Sequence, residues 1–137
     1  MKKILITGAL GQIGSELMVE LQKRYGHENV IVTDIRKPAQ IDAVFEVLDC
    51  TCGHRLHEII LKYDVGCIYH LAALLSAVAE ARPQEAWRVN MDGTLHVLEA
   101  ARIHGCQVFV PSSIGAFSPT TPPDNTPQNT IQRPTSM

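Results

Sequence analysis

Apolar residues fall into two patterns along the chain. Ile4-Leu5-Ile6, Val30-Ile31-Val32, Val44 to Leu48, Gly66 to Leu71 and Val108-Phe109-Val110 are short, nearly continuous runs rich in Val and Ile. Such runs read as strands buried on both faces of a parallel sheet. Between them the apolar positions recur every three or four residues, which predicts helices. The first covers 12–25, with Ile13, Leu17, Leu21 and then Arg24-Tyr25 in step; Gly26 stops it. The next covers 55–63, with Leu56, Ile59, Ile60 and Tyr63 on one face. The longest covers 83–104: Pro83 suits its first turn, Gly105 ends it, and Trp87, Met91, Leu95, Leu98 and Ala101 form its stripe. Residues 37–43, with Pro38, form a loop.

Strands alternating with helices fit an α/β fold with a doubly wound parallel sheet, a Rossmann arrangement. Right-handed crossovers give the spatial strand order 3-2-1-4-5. Ligands of such sheets sit beyond the carboxyl ends of the strands, at the switch between strands 1 and 4. The composition changes after residue 117. Residues 118–137 hold five of the eight prolines, with many Thr and Asn, and read as a loop. The chain thus divides into a Rossmann domain, 1–117, and a Pro/Thr-rich loop, 118–137.

The first strand runs into Gly8-x-x-Gly11-x-x-Gly14 and then directly into a helix. Gly8 suits a tight turn, Gly11 lets a ligand approach the backbone, and Gly14 lets the helix lie close to the strand. Unpaired N–H groups at the helix start, with its partial positive charge, suit a pyrophosphate. Asp34 ends the second strand, twenty residues after Gly14. A dinucleotide domain places there the acid that takes the adenosine ribose hydroxyls, and a carboxylate repels a 2′-phosphate. NAD is therefore expected over NADP. Arg36 either covers the adenine ring or is solvated. Asp49, after the third strand, either accepts from the adenine amino group or caps the following turn. Leu71-Ala72-Ala73, after the fourth strand, leave room for a cofactor backbone. Asn90 either bonds neighbouring backbone or faces water. Ser112-Ser113 arrive at the same sheet edge after the fifth strand.

Charge and cysteine usage narrow the classes. A net charge of −2 offers no basic footprint for nucleic acid. No apolar stretch nears the ~18 residues of a membrane span, and the start lacks a signal peptide's apolar core. Cys50, Cys52, Cys67 and Cys106 lack the spacing of a disulfide framework, and Cys67 and Cys106 fall in expected strands. A cytoplasmic, reduced protein is expected. Cys50-x-Cys52-x-His54-x-x-His57 offers four donors, but zinc sites use wider cysteine pairs, so no metal is expected. His70 ends a strand beneath the cofactor position and reads as packed rather than catalytic. His27, His96 and His104 read as solvated or helix-end residues.

Together, Thr7-Gly8-x-x-Gly11-x-x-Gly14, Asp34, His70-Leu71-Ala72-Ala73, Asn90 with Gly93-Thr94, and Ser112-Ser113 resemble the extended short-chain dehydrogenase/reductases of the NAD-dependent epimerase/dehydratase superfamily. Asp34-Ile35-Arg36-Lys37-Pro38, Ala73-Leu74-Leu75-Ser76-Ala77, Pro111 to Phe117 and Ile131-Gln132-Arg133-Pro134 are similar to the short-chain L-threonine 3-dehydrogenase family. That resemblance implies an NAD-dependent, zinc-free oxidation of threonine to 2-amino-3-oxobutanoate, and often a homodimer formed through the helix like 83–104. Trp87 then lies in the core or at that interface. It also implies cofactor contacts at Gly8, Gly11, Gln12, Ile13, Gly14, Asp34, Arg36, Asp49, Leu71 and Ala73, substrate contact at Ser76, and a serine orienting the reacting oxygen at Ser113, or at Ser112 if the offset differs by one.

The resemblance also implies a Tyr-x-x-x-Lys pair. Tyr25, Tyr63 and Tyr69 are followed four residues on by Asn29, Cys67 and Ala73. The chain is thus expected to be the NAD-binding N-terminal part, inactive alone, with the catalytic helix and substrate-binding part absent. Two other readings stand beside it. A sugar-nucleotide epimerase or dehydratase would more commonly show Ser-x-x-x-Val-Tyr-Gly where Gly115-Ala116-Phe117-Ser118 stands, and a noncatalytic NAD-sensing module would need neither Tyr nor Lys.

Overall fold

A computed structural model describes residues 2–117 and 119–135, apart from the side chain of Ser76. Strands β1 (Lys3–Thr7), β2 (Val30–Asp34), β3 (Val44–Val47), β4 (Val65–His70) and β5 (Gln107–Phe109) form one sheet, ordered β3-β2-β1-β4-β5. Every pairing is parallel, with Thr7 level with Thr33 on one side and His70 on the other. The topology is the Rossmann order expected from right-handed crossovers.

Alternation along the strands builds two cores. Leu5, Ile31 and Ile68 face one side, against Leu56, Ile59 and Ile60 of α2 (Gly53–Tyr63) and Val97 and Ala100 of α5 (Gly93–His104). Ile4, Ile6, Val30 and Val32 face the other, against Leu21 of α1 (Gln12–Tyr25). The α1 stripe is shorter than its spacing implied: Ile13 is exposed, and the buried polar Gln22 donates from Nε2 to Asp42 O at 3.1 Å. Both central strands are shielded on both faces, so their unbroken apolar runs reflect burial rather than a single core face.

Three expectations are corrected. Residues 83–104 are not one regular helix. They comprise α4 (Pro83–Trp87), a π-helical turn (Arg88–Asp92) and α5. All but the last residue of their apolar stripe also point outward: Trp87 is 58%, Met91 52%, Leu95 63% and Leu98 48% exposed, while Ala101 is buried. The sheet-facing side is instead the small one, with Ala86, Gly93, Val97, Ala100 and Ala101 buried. Small side chains let α5 lie close to the sheet and α2, whereas periodicity cannot say which of two apolar faces is covered. A further short helix, α3 (Ser76–Ala81), precedes Pro83. Lastly, Cys106 precedes β5 rather than lying in it; its thiol donates to Val65 O at 3.2 Å. No described residue beyond Ala116 lies in a helix or strand. Among the described residues no helix is long and apolar enough to cross a membrane.

Candidate functional site

The carboxyl ends of β1, β2, β3 and β4 are tied to the segments that follow. Ala9 N donates to Thr33 O at 2.9 Å, Leu48 N to Asp34 O at 3.0 Å, and Leu71 N to Thr7 O at 3.1 Å. The polar floor between them is fully buried. Thr33 Oγ1 donates to Ile6 O at 3.0 Å, and Thr7 Oγ1 lies 2.7 Å from His70 Nδ1. Thr7 Oγ1 also accepts from Ala72 N at 3.4 Å. His70 Nε2 is buried with no hydrogen-bond partner among the described residues, and burial pushes the imidazole pKa below its usual value. The histidine therefore serves as a neutral, packed support for Thr7 and, through it, for the turn at Ala72.

Above this floor lies a cleft of about 390 Å³. Gly8, Gly11, Asp34, Arg36, Asp49, Leu71 and Ala73 all line it. Gly8 adopts φ +67°, and a Cβ there would fall 2.7 Å from Ala72 N. A Cβ on Gly14 would fall 2.6 Å from Gly8 O. The two missing side chains let the β1 turn, the start of α1 and the β4 turn converge. Gly11 is the N-cap of α1, without a side-chain cap, and the first turn carries no acid. Gln12, Ile13 and Gly14 form that first turn beside the cleft; Gln12 and Ile13 are exposed and Gly14 is buried. Their amides are the orphan donors of a helix start.

Asp34 is the most tightly held carboxylate in this region, 5% exposed. Its Oδ1 accepts from Arg36 N and Arg36 Nε, both at 3.0 Å. Its Oδ2 accepts from Leu10 N at 3.1 Å and Arg36 Nη2 at 3.5 Å. Burial alone would raise this carboxyl, but the Arg36 guanidinium and the N–H groups of Arg36 and Leu10 outweigh it and hold the pKa below the usual range. The Arg36 side chain, 66% exposed, rests on Asp34. Asp49 takes the capping role, accepting from Thr51 N at 2.9 Å and Thr51 Oγ1 at 2.8 Å.

Asn90, in the π-turn, clamps the far wall. Its Oδ1 accepts from Leu74 N at 2.8 Å and its Nδ2 donates to Leu74 O at 3.0 Å. Residues that the sequence reading passed over also line the cleft: Ile35, Leu48, Cys50, Glu85 and Val89. Glu85 and Val89 stand four apart, the one periodic hint that the helix presents a face here. Burial, aided by Asp49, pushes the Cys50 thiol up to about 11. Ser112 and Ser113 do not line the cleft; Ser113 is exposed and its Oγ accepts from Gly115 N at 3.1 Å, capping a 3-10 turn at Ile114–Ala116. The side chain of Ser76 lies outside the described residues.

The four donors of residues 50–57 diverge. Cys50 Sγ lies 3.8 Å from Val89 O, His54 Nε2 lies 3.1 Å from Glu58, and His57 Nδ1 lies 2.8 Å from His104 Nε2. Cys52 is exposed. Among the described residues no three metal-ligating side chains come together.

Comparison with known proteins decides the family. The profile of the NAD dependent epimerase/dehydratase family matches residues 4–136. The chain belongs to this family. An uncharacterized epimerase/dehydratase of Staphylococcus epidermidis is 54% identical over 141 residues, which cover 100% of this chain and 44% of that protein. The solved structure of L-threonine dehydrogenase from Clostridium difficile superposes with a TM-score of 0.94 at 53% identity, covering 99% of this chain and 44% of that one. A monomeric L-threonine 3-dehydrogenase from a metagenome, in its apo form, gives a TM-score of 0.94 at 39% identity over 97% of this chain and 43% of its own. This epimerase/dehydratase family chain thus spans less than half the length of the relatives it matches.

Proposed function

We propose that the chain is the NAD-binding part of a cytoplasmic L-threonine 3-dehydrogenase. One observation carries the nucleotide half of this reading. The glycine turn, Asp34 and the Leu71–Ala73 turn line a single cleft at the switch between β1 and β4. The residues present fit a dinucleotide. The side chains absent at Gly8 and Gly14 open the cradle, and the uncapped amides of Gln12, Ile13 and Gly14 suit a pyrophosphate. Asp34 accepts from the ribose diol, Asp49 faces the adenine, and Leu71 and Ala73 border the cofactor's path. NAD would supply the hydride acceptor. Ser76 would contact threonine and Ser113 would orient its hydroxyl oxygen. The likeness to threonine dehydrogenases supports this substrate over a sugar nucleotide.

Calorimetry with NAD and NADP tests the cofactor assignment. Wild type is expected to favour NAD by about tenfold or more, because a 2′-phosphate would meet the Asp34 carboxylate in a poorly solvated setting. Asp34→Ala is expected to weaken NAD by at least about tenfold, the low end for a single lost hydrogen bond to a charged group. Equal binding of the two cofactors by wild type would remove Asp34 from its role.

The outward stripe Trp87, Met91, Leu95 and Leu98 supports a second copy of this chain as partner. A contiguous apolar patch on a surface helix marks an interaction face. Sedimentation velocity should show a concentration-dependent dimer that Leu95→Glu dissociates. A wild type that remains monomeric at high concentration would contradict it.

A further inference from the structure

The Asp34 carboxylate has about four acceptor positions; before any ligand arrives three are filled at 3.0–3.1 Å and the fourth is approached at 3.5 Å by Arg36 Nη2. Two of the donors, Leu10 N and Arg36 N, belong to the backbone and are fixed by the turns that follow β1 and β2. The other two, Arg36 Nε at 3.0 Å and Nη2 at 3.5 Å, belong to a side chain that is 66% exposed. A ribose presenting two hydroxyl protons to Asp34 needs acceptor positions, and only the guanidinium can yield them. Arg36 must leave Asp34 as the nucleotide enters.

The displaced guanidinium is tethered at the cleft and seeks a carboxylate with free acceptor capacity. Two others line the same cleft. Asp49 is already committed to Thr51 through two short hydrogen bonds. Glu85 meets Arg82 through one long contact, 3.4 Å, with the side chains 46% and 66% exposed. Such a pair is weak and readily re-formed elsewhere. A planar guanidinium that spans from the end of β2 toward α4 would also lie flat over an adenine seated between them, a geometry it favours.

Resting on the assignment of an NAD-type nucleotide to this cleft, we infer that Arg36 exchanges Asp34 for Glu85 when the adenosine moiety binds, so that Glu85 is a positioning residue closing the cleft over the adenine. The ligand class is an adenosine nucleotide with free 2′ and 3′ hydroxyls. A 2′-phosphate would hold Arg36 to itself and leave three carboxylates facing it.

A mutant cycle on the 137-residue chain tests this, with NAD binding followed by calorimetry. Arg36→Met removes both the competitor for Asp34 and the clasp, so its own sign is not diagnostic; the effect of Glu85→Gln in each background is. In wild type, Glu85→Gln is expected to weaken NAD about three- to fivefold, the range for a partly exposed ion pair. In the Arg36→Met background it should change affinity by less than about 1.5-fold, since interacting residues are not additive. The melting temperature of the unliganded protein should be unchanged by Glu85→Gln. Equal weakening in both backgrounds, or none in wild type, overturns the exchange while leaving the cofactor assignment standing. A wild type that binds no NAD overturns that assignment itself, and the exchange with it.

Discussion

Threonine oxidation by the 137-residue chain is expected to run at least about 100-fold slower than by the Clostridium difficile L-threonine dehydrogenase, the lower bound of what a positioned acid–base group contributes. Removing hydride from a secondary alcohol requires a base at the hydroxyl proton. None of the three tyrosines is placed for it. Tyr63 donates its hydroxyl to Glu46 at 2.8 Å, on the outer edge of the sheet. Tyr69 lies against Phe109 with ring centroids 5.7 Å apart and tilted by 45°, and burial raises its pKa, away from any proton-accepting role. Tyr25 closes α1, at the end of the helix opposite the glycine turn. His70 is buried beneath Thr7, with Nδ1 engaged and its pKa lowered. Ser113 can orient an oxygen but is a very poor base at neutral pH. The measurement is NADH formation with threonine at matched protein concentration. Turnover within about tenfold of the longer enzyme, lost in His70→Ala, would show that the base lies in this chain after all.

Gly8→Ala is expected to lower stability by roughly 2–5 kcal/mol. The left-handed conformation contributes about 1–2 kcal/mol of this and crowding about 1–3 kcal/mol. The atoms a Cβ would meet, Ala72 N at 2.7 Å, Ala72 Cα at 2.8 Å and Leu71 C at 2.9 Å, are backbone and cannot rotate aside. Gly105 provides the control. It has the same φ of +67° with nothing within 4 Å of a built Cβ, so Gly105→Ala bears only the conformational part, about 1–2 kcal/mol. Urea denaturation of both variants separates the two contributions. If Gly8→Ala proves no worse than Gly105→Ala, the close approach of the β1 and β4 turns is not what glycine is for at position 8.

Most of the frame is legible in the sequence because it follows from period and punctuation. The apolar runs at Ile4–Ile6 and Val30–Val32 mark central strands, Gly11 and Gly26 bound α1 at Gln12–Tyr25, and crossover handedness then leaves one strand order. What sequence could not show depends on contacts without a period. Helix α3 is anchored mainly through Ala79, 3% exposed, on a stretch too short to display an amphipathic pattern. Arg36 resting on Asp34 is a two-residue local contact decided by rotamer and burial. The outward stripe of Trp87 and Leu95 misled because a helix with two apolar faces has no sequence mark for the covered one. Glu85 and Val89 reach the cleft only through the turn that interrupts that helix.

That turn has a consequence for how the chain tolerates change in length. A π-turn holds one residue more than the α-turn it replaces, so it is in effect an insertion absorbed within a helix. Excising one residue between Arg88 and Asp92 would restore a regular helix and leave its two halves nearly in register, whereas tightening the turn to α-helix with every residue kept would rotate everything before it by about 100° and shift it by about 1.5 Å relative to α5. Glu85 and Val89 would swing off the cleft, and Trp87 would leave the line of Leu95 and Leu98. The width of the turn, and not its residue count, sets the angular phase between a helix that must address the cleft and one that must lie flat on the sheet; a deletion here is a change of length, and a tightening is a change of phase.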